Sequence, residues 1–192
     1  MTRVYFVRHA QPEHDWEEDR TRPLTEEGNK DSAIVLEFLK DKKIDAFYCS
    51  PYKRSMDTIA EAADLFTKEI ITDERLRERE KGLDGNNHGM FRKRWADHNY
   101  HEEGGESIAM VQKRNIEALN EILSDNTDKD IVIGTHGTAL STILNFYDSN
   151  FGCEDFLRII DWMPYIIELD FEGDKLVGKQ EHCYIEKEFK GK

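Results

Sequence analysis

The sequence predicts an α/β fold: a three-layer α/β/α sandwich with a mainly parallel sheet of about six strands and a C-terminal antiparallel hairpin. Three observations carry that prediction. Short apolar runs such as Val4–Val7 and Ile131–Gly134 read as strands buried on both faces. Segments of helical periodicity alternate with them, as crossover connections between parallel strands require. Near the end, two strand-like stretches flank Glu172-Gly173-Asp174, a hairpin turn pattern.

Taken in order, Val4–Val7 is the first strand and runs into Arg8-His9. Thr25 opens a helix with Glu26 and Glu27 in its first turn, where carboxylates suit the positive helix end. Ile34, Val35, Phe38 and Leu39 supply the apolar face of that same helix. Ala46–Cys49 is the second strand, and Ser50-Pro51 forms an N-cap and N1 pair opening a helix to about Leu65. Ile70-Ile71 is a weaker third strand. From Asp73 to Glu106 the chain is charged, glycine-bearing and poorly periodic, a loop with a short helix from Phe91 to His98. Ser107 caps a helix with Ile108, Val111, Leu119 and Ile122 inward. Ile131–Gly134 is the next strand, Thr138–Tyr147 the next helix, and Glu154–Ile160 a further helix before the hairpin Tyr165–Phe171 and Lys175–Tyr184. Nothing along the chain reads as a repeat, a low-complexity tract or a linker, so residues 1–192 are expected to form a single domain.

With 38% apolar and 35% charged residues, the 192-residue chain can build a sizeable core under a well-solvated surface. A net charge of −13 disfavours non-specific binding to nucleic acid or anionic lipid. Neither nucleic acid nor membrane is therefore expected as a partner, and no feature specifies an oligomeric state. Cys49, Cys153 and Cys183 are odd in number and widely spaced, which suits free thiols in a reducing compartment. The apolar stretch Val4–Val7 is too brief for a signal core or a membrane span, so a cytoplasmic location is expected.

In open α/β sheets ligands bind beyond the carboxyl ends of the strands. Three such ends carry Arg8-His9, Ser50 to Arg54, and Thr135-His136. Arginine forks match the oxygens of a phosphate dianion, and neutral imidazole is a competent nucleophile near neutral pH. Singly, each residue has an ordinary structural explanation: an Arg-His after a strand, an arginine on a helix surface, a satisfied loop histidine. Their joint placement on one rim points to phosphoryl chemistry.

These residues also resemble a known family. Val7-Arg8-His9-Ala10 is similar to the Arg-His-Gly signature of the histidine phosphatase superfamily, also called the phosphoglycerate mutase-like family. The resemblance continues, in the family's order, through Leu24–Gly28, Ser50–Thr58, Leu76-Arg77-Glu78, Gly104–Ser107 and Gly134–Gly137. It implies that His9 becomes a phosphohistidine while Arg8, Arg54 and His136 hold the phosphoryl group. Among the nearby carboxylates Asp73, Glu74, Glu78 and Glu80, it selects Glu78 as the acid/base, and it implies chemistry without metal or cofactor. Ala10 replaces the signature glycine. Asp15 falls where many members carry asparagine, and no role is assigned to it.

The substrate is expected to be a small phosphorylated compound. Phosphomonoester hydrolysis is favoured over phosphoglycerate mutase-type transfer for two reasons. Only Arg79 to Glu103 separates Glu78 from the Gly104 block, and the mutases' Thr-Gly-Trp element is replaced by Arg20-Thr21-Arg22-Pro23. A non-catalytic phosphoryl-binding module ranks last because the nucleophile and both arginines are present. His98, His101, Glu102 and Glu103 are too loosely spaced to read as a metal cluster. Trp16, Trp95 and Trp162 are expected as packing or pocket-wall residues. Segment 82–105 is a candidate cover for the site, with Asn86, Asn87, His88 and Tyr100 as leaving-group contacts. Glu186–Lys192 reads as a solvated end.

Overall fold

The computed structural model describes residues 1–83 and 88–189, the side chain of His88 apart. Its sheet has six strands: β1 (Thr2–Arg8), β2 (Ala46–Cys49), β3 (Ile70–Thr72), β4 (Asp130–Thr135), β5 (Trp162–Glu172) and β6 (Lys175–Glu186). They lie in the order β3-β2-β4-β1-β5-β6. The first four are mutually parallel; β5 runs antiparallel to β1, and β6 antiparallel to β5. The helices are α1 (Glu26–Asp31), α2 (Ala33–Leu39), α3 (Lys53–Leu65), α4 (His88–Ala96), α5 (Ile108–Asp125), α6 (Gly137–Tyr147) and α7 (Cys153–Ile159).

Helices cover both faces, which is why the central strands read as unbroken apolar runs. Along β1, Val4 and Phe6 join a core with Ile131 and Ile133, beneath Leu119 of α5, Leu140 of α6 and Phe156 of α7. Tyr5 and Val7 point the other way, into a second core with Val132, Phe47, Val35 of α2 and Ile59 of α3. Each fully buried side chain of this kind contributes about 1.5–3 kcal/mol.

Register sets the site. Arg8 pairs with Thr135 across β1 and β4, and Cys49 pairs with Gly134 across β2 and β4. Pairing continues one residue past each strand end, with His9 N donating to Thr135 O at 3.2 Å and Ser50 N to Gly134 O at 3.1 Å. Arg8-His9, Ser50 and Thr135-His136 therefore emerge side by side.

Four elements differ from expectation. The single helix expected from Thr25 to Leu39 is divided at Ser32, whose hydroxyl donates to Asn29 O at 2.7 Å and competes with the helical ladder. Ser50 does not cap the following helix. Tyr52 is the N-cap of α3, and the Ser50 hydroxyl accepts from Tyr52 N at 3.2 Å within a preceding turn. The short helix in the charged segment runs from His88 rather than Phe91. The hairpin is longer than expected, because register shifts let Trp162 pair with Glu186 beyond the Tyr165–Tyr184 pair. Its turn needs Gly173 at φ +64°.

Candidate active site

Arg8, His9, Arg54 and Glu78 line one cavity of about 260 Å³ beyond the carboxyl ends of β1, β2 and β4. Each is fixed by a different device. Arg8 is buried, and its Nη1 donates to the carbonyls of Ile159 and, at 3.2 Å, Trp162. Its Nε has no protein partner. Gly137 makes room: a Cβ there would come within 3.3 Å of Cζ, Nε and Nη2 of Arg8. Burial pushes the Arg8 guanidinium down to about 10, against the opposing pull of Glu78, and lowers Arg54 as well. Two desolvated cations at one wall are relieved by an anion.

His9 is 5% exposed, and its Nδ1 lies 2.7 Å from Ala10 O. A carbonyl only accepts, so Nδ1 carries the proton and Nε2 keeps its lone pair. Arg54 Nε donates to that Nε2 at 3.3 Å. Burial, then Arg54 and Arg8, hold His9 well below the ordinary histidine range. The ring is neutral at pH 7.

His136 is not on the cavity wall. It is fully buried beside His9, the ring centroids 5.2 Å apart at 62°. Its Nε2 sits 2.7 Å from the Ser50 hydroxyl. That hydroxyl accepts from Tyr52 N and still has a proton to give; donated to His136 Nε2, it would place the ring proton on Nδ1. Nδ1 is buried without a protein partner. Burial and Arg54 keep this histidine neutral too.

Glu78 sits against the N-terminus of α6. Its Oε2 accepts from Thr138 N at 3.0 Å, and its Oε1 from Ala139 N at 3.1 Å and Arg79 N at 2.8 Å. Of the four carboxylates the sequence left open, Glu78 alone lines the cavity. Asp73 is held by Arg75, Glu74 by Arg20, and Glu80 is exposed.

Sequence reasoning missed several wall residues. Arg54 Nη1 donates to Asp19 O at 2.7 Å and Asp19 Oδ1 at 3.1 Å, and Arg22 Nη1 reaches the same carboxylate at 3.1 Å. Both Asp19 and Arg22 line the cavity, as do Asp15 and Lys81. Asp15, Asp19 and Arg22 arrive through a loop whose base is zipped by Glu13 N to Pro23 O and Thr25 N to Gln11 O, at 2.9 and 3.0 Å. A polar loop offers no periodicity from which such closure could be read. The one signal that could have pointed there is the basic pair Arg20 and Arg22.

Within the described part of the expected solvated tail, Lys187 and Phe189 are tied to the fold. Lys187 Nζ bonds Glu27 at 2.6 Å and Asp31 at 3.0 Å, while Phe189 N donates to Asp161 at 2.7 Å. Phe189 then lines the cavity, its ring edge-on to His14 at 5.8 Å. Trp95 and Trp162 are core residues, but Trp16 is 48% exposed and outside the cavity wall. Tyr100 is also outside the wall, covered by Lys93 at 3.9 Å. Asn86, Asn87 and the His88 side chain lie outside the described residues. Glu102 is turned inward to Arg94 and Arg79, and His98 packs on Trp95. The base of segment 82–105 closes where Gly82 and Gly105 meet so tightly that a Cβ on Gly105 would lie 2.8 Å from Gly82 N.

Known proteins share this arrangement of elements. Over 154 residues the chain is 28% identical to phosphoserine phosphatase 1 of Hydrogenobacter thermophilus, covering 71% of each chain. A 53-residue stretch is 43% identical to the 2,3-bisphosphoglycerate-dependent phosphoglycerate mutase of Thermoplasma acidophilum, covering 28% of this chain and 26% of that one. A phosphoserine phosphatase mutant from Entamoeba histolytica, solved with phosphoserine, superposes with a TM-score of 0.77 at 21% identity over 96% of each chain. At that identity the likeness speaks for the fold. The family match itself spans residues 4–174, and the chain belongs to the histidine phosphatase superfamily, branch 1.

Proposed function

We propose that the chain is a phosphomonoester hydrolase that works through a phosphohistidine at His9. One observation carries the reading: a neutral imidazole whose Nδ1 proton is committed to Ala10 O presents its Nε2 lone pair to the buried Arg54, in a cavity that the buried Arg8 also lines. Nε2 attacks phosphorus, while Arg8 and Arg54 hold the non-bridging oxygens and His136 donates from Nδ1. Displacing Arg54 from His9 Nε2 to a phosphoryl oxygen frees the nucleophile. Glu78 protonates the leaving oxygen, then takes a proton from the water that cleaves the phosphohistidine. Every step uses side chains of this chain and needs no metal.

A cavity of about 260 Å³ suits a small metabolite, since sites for drug-sized ligands run to about 300–1,000 Å³. The relatives that bear phosphoserine phosphatase names support a compact phosphoester with a charged leaving group, to which Arg22, Lys81 and Asp15 are the available contacts. Free thiols at Cys49, Cys153 and Cys183 fit a reducing compartment such as the cytoplasm. The family span of 4–174 supports one domain.

The test is turnover of p-nitrophenyl phosphate with EDTA present, beside His9→Ala. Chelator-resistant turnover that the alanine variant lacks is expected; full activity in His9→Ala removes the mechanism. A second reading, phosphoryl transfer between phosphoglycerates, draws on the 53-residue mutase match. Faster phosphoglycerate interconversion than phosphate release would favour it.

A further inference from the structure

Glu78 lies in a stretch with neither helix nor strand to fix its backbone, yet an acid/base must be held to a fraction of an ångström. Beside the Arg79 bonds to the carbonyls of Glu80 and Glu106, an arginine on α5 grips the backbone at Glu78 itself. Arg114 Nη1 donates to the carbonyls of Arg75 and Arg77, each at 2.7 Å, and its Nη2 donates to the carbonyl of Glu78 at 3.0 Å. The remaining donors grip Glu106 as a fork, Nε to Oε1 at 2.9 Å and Nη2 to Oε2 at 2.8 Å. Glu106 extends the clamp, since it accepts from Arg77 Nη2 and from Glu80 N, both at 2.9 Å. Main-chain groups on both sides of Glu78 are thus fastened to one Arg114–Glu106 pair, whose side chains are 12% and 14% exposed. The α6 amides fix the carboxylate, and Arg114 fixes the backbone that delivers it.

From this geometry we infer that Arg114, braced by Glu106, is the positioning residue for the acid/base Glu78. The inference rests on the role proposed for Glu78. Lysine cannot replace Arg114, because a single ammonium lacks the fork that meets three carbonyls and a carboxylate together.

The experiment compares Arg114→Ala, Arg114→Lys, Glu106→Gln and Glu78→Gln on aryl phosphates graded in leaving-group acidity, with inorganic phosphate as competitive inhibitor. General acid catalysis supplies about 10²–10⁴-fold, and loss of the clamp is expected to forfeit part of it. For Arg114→Ala we expect roughly a 30-fold fall in kcat/KM with phenyl phosphate, under about 5-fold with p-nitrophenyl phosphate, and phosphate inhibition within about twofold of wild type. In the Glu78→Gln background, Arg114→Ala should add less than about threefold, because the group it positions is already gone.

Additive losses, or equal losses for good and poor leaving groups, overturn the inference. Leaving-group dependence in Glu78→Gln but not in the Arg114 variants removes Arg114 alone. Its absence in Glu78→Gln removes the acid/base reading and this inference together. Should Arg114→Ala fail to fold by circular dichroism, Arg114→Lys and Glu106→Gln carry the same comparison.

Discussion

Ser50→Ala separates two readings of one side chain. As a helix N-cap, Ser50 would cost about 1 kcal/mol of stability on replacement and leave the chemistry alone. Instead its buried hydroxyl is 2.7 Å from His136 Nε2 and accepts from Tyr52 N at 3.2 Å. Removing it strands a buried imidazole nitrogen and a buried amide, each worth about 1–3 kcal/mol when unpaired. With partial relaxation, a total near 2 kcal/mol is reasonable. For a chain of this length 1 kcal/mol moves the thermal midpoint by about 2–4 °C, so a drop of roughly 4–8 °C is expected. The imidazole also loses the contact that fixes its tautomer and aims Nδ1. If about 1.4 kcal/mol of that is felt in the transition state, kcat/KM falls roughly tenfold. The assay is p-nitrophenyl phosphate turnover well below the melting range, alongside a thermal melt. A lowered midpoint with unchanged kcat/KM would refute the orienting role and return Ser50 to a purely structural one.

Other expectations test other parts of the molecule. His9 and His136 lie below the unfolded histidine value because burial and Arg54 disfavour their protonation, so the unfolded chain binds more protons as pH falls below about 6.5. Stability should therefore be fully present above that pH and decline below it, by up to about 1.4 kcal/mol per pH unit for each histidine; urea melts between pH 7.5 and 5.5 should show a shallower decline in His136→Asn, and an equal slope would contradict the assignment. Gly134→Ala puts a Cβ 2.5 Å from Cys49 Sγ, an overpacking expected to cost about 1–3 kcal/mol by thermal melt; Cys49→Ala in the same chain should recover part of it, and no recovery would mean the clash lies elsewhere. Phe189→Ala removes an aromatic wall of the cavity and should raise KM several-fold for a small ester with little change in kcat. Identical KM values for every ester assayed would exclude the chain end from the site.

How much of this was legible beforehand depends on whether a local rule decided it. Ser107 caps α5 as the sequence implies, its hydroxyl accepting from Met110 N at 3.1 Å, because an N-cap is a property of four consecutive residues. The strand ends carrying Arg8, His9 and His136 were legible for a similar reason: the runs before them are short and rich in β-branched and aromatic residues, which favours strand over buried helix, and sheet register then brings their ends together. The division at Ser32 was hidden because a hydroxyl bonded to Asn29 O and one pointing at water look alike in a periodic stretch. Asp19, Arg22 and Phe189 reach the cavity only after chain closures at Pro23–Leu24 and Asp161, and no local pattern encodes those. The Asp73–Glu106 segment read as a charged loop with a short helix, whereas Arg75, Arg79 and Arg114 are spent on carbonyls and carboxylates, bonds that substitute for missing secondary structure. Ionic side chains there do the work that ladders do elsewhere.

The central claim is that His9 Nε2 accepts the phosphoryl group, and rapid quenching tests it most directly. Wild-type protein mixed with a labelled phosphomonoester and stopped at high pH should carry label that is stable to base, lost in acid, and confined to the peptide containing His9. Its phosphorus resonance should identify an Nε2-linked phosphoimidazole. Label on Ser50, Cys49 or Glu78, or label at the imidazole Nδ1 that donates to Ala10 O, would contradict the account.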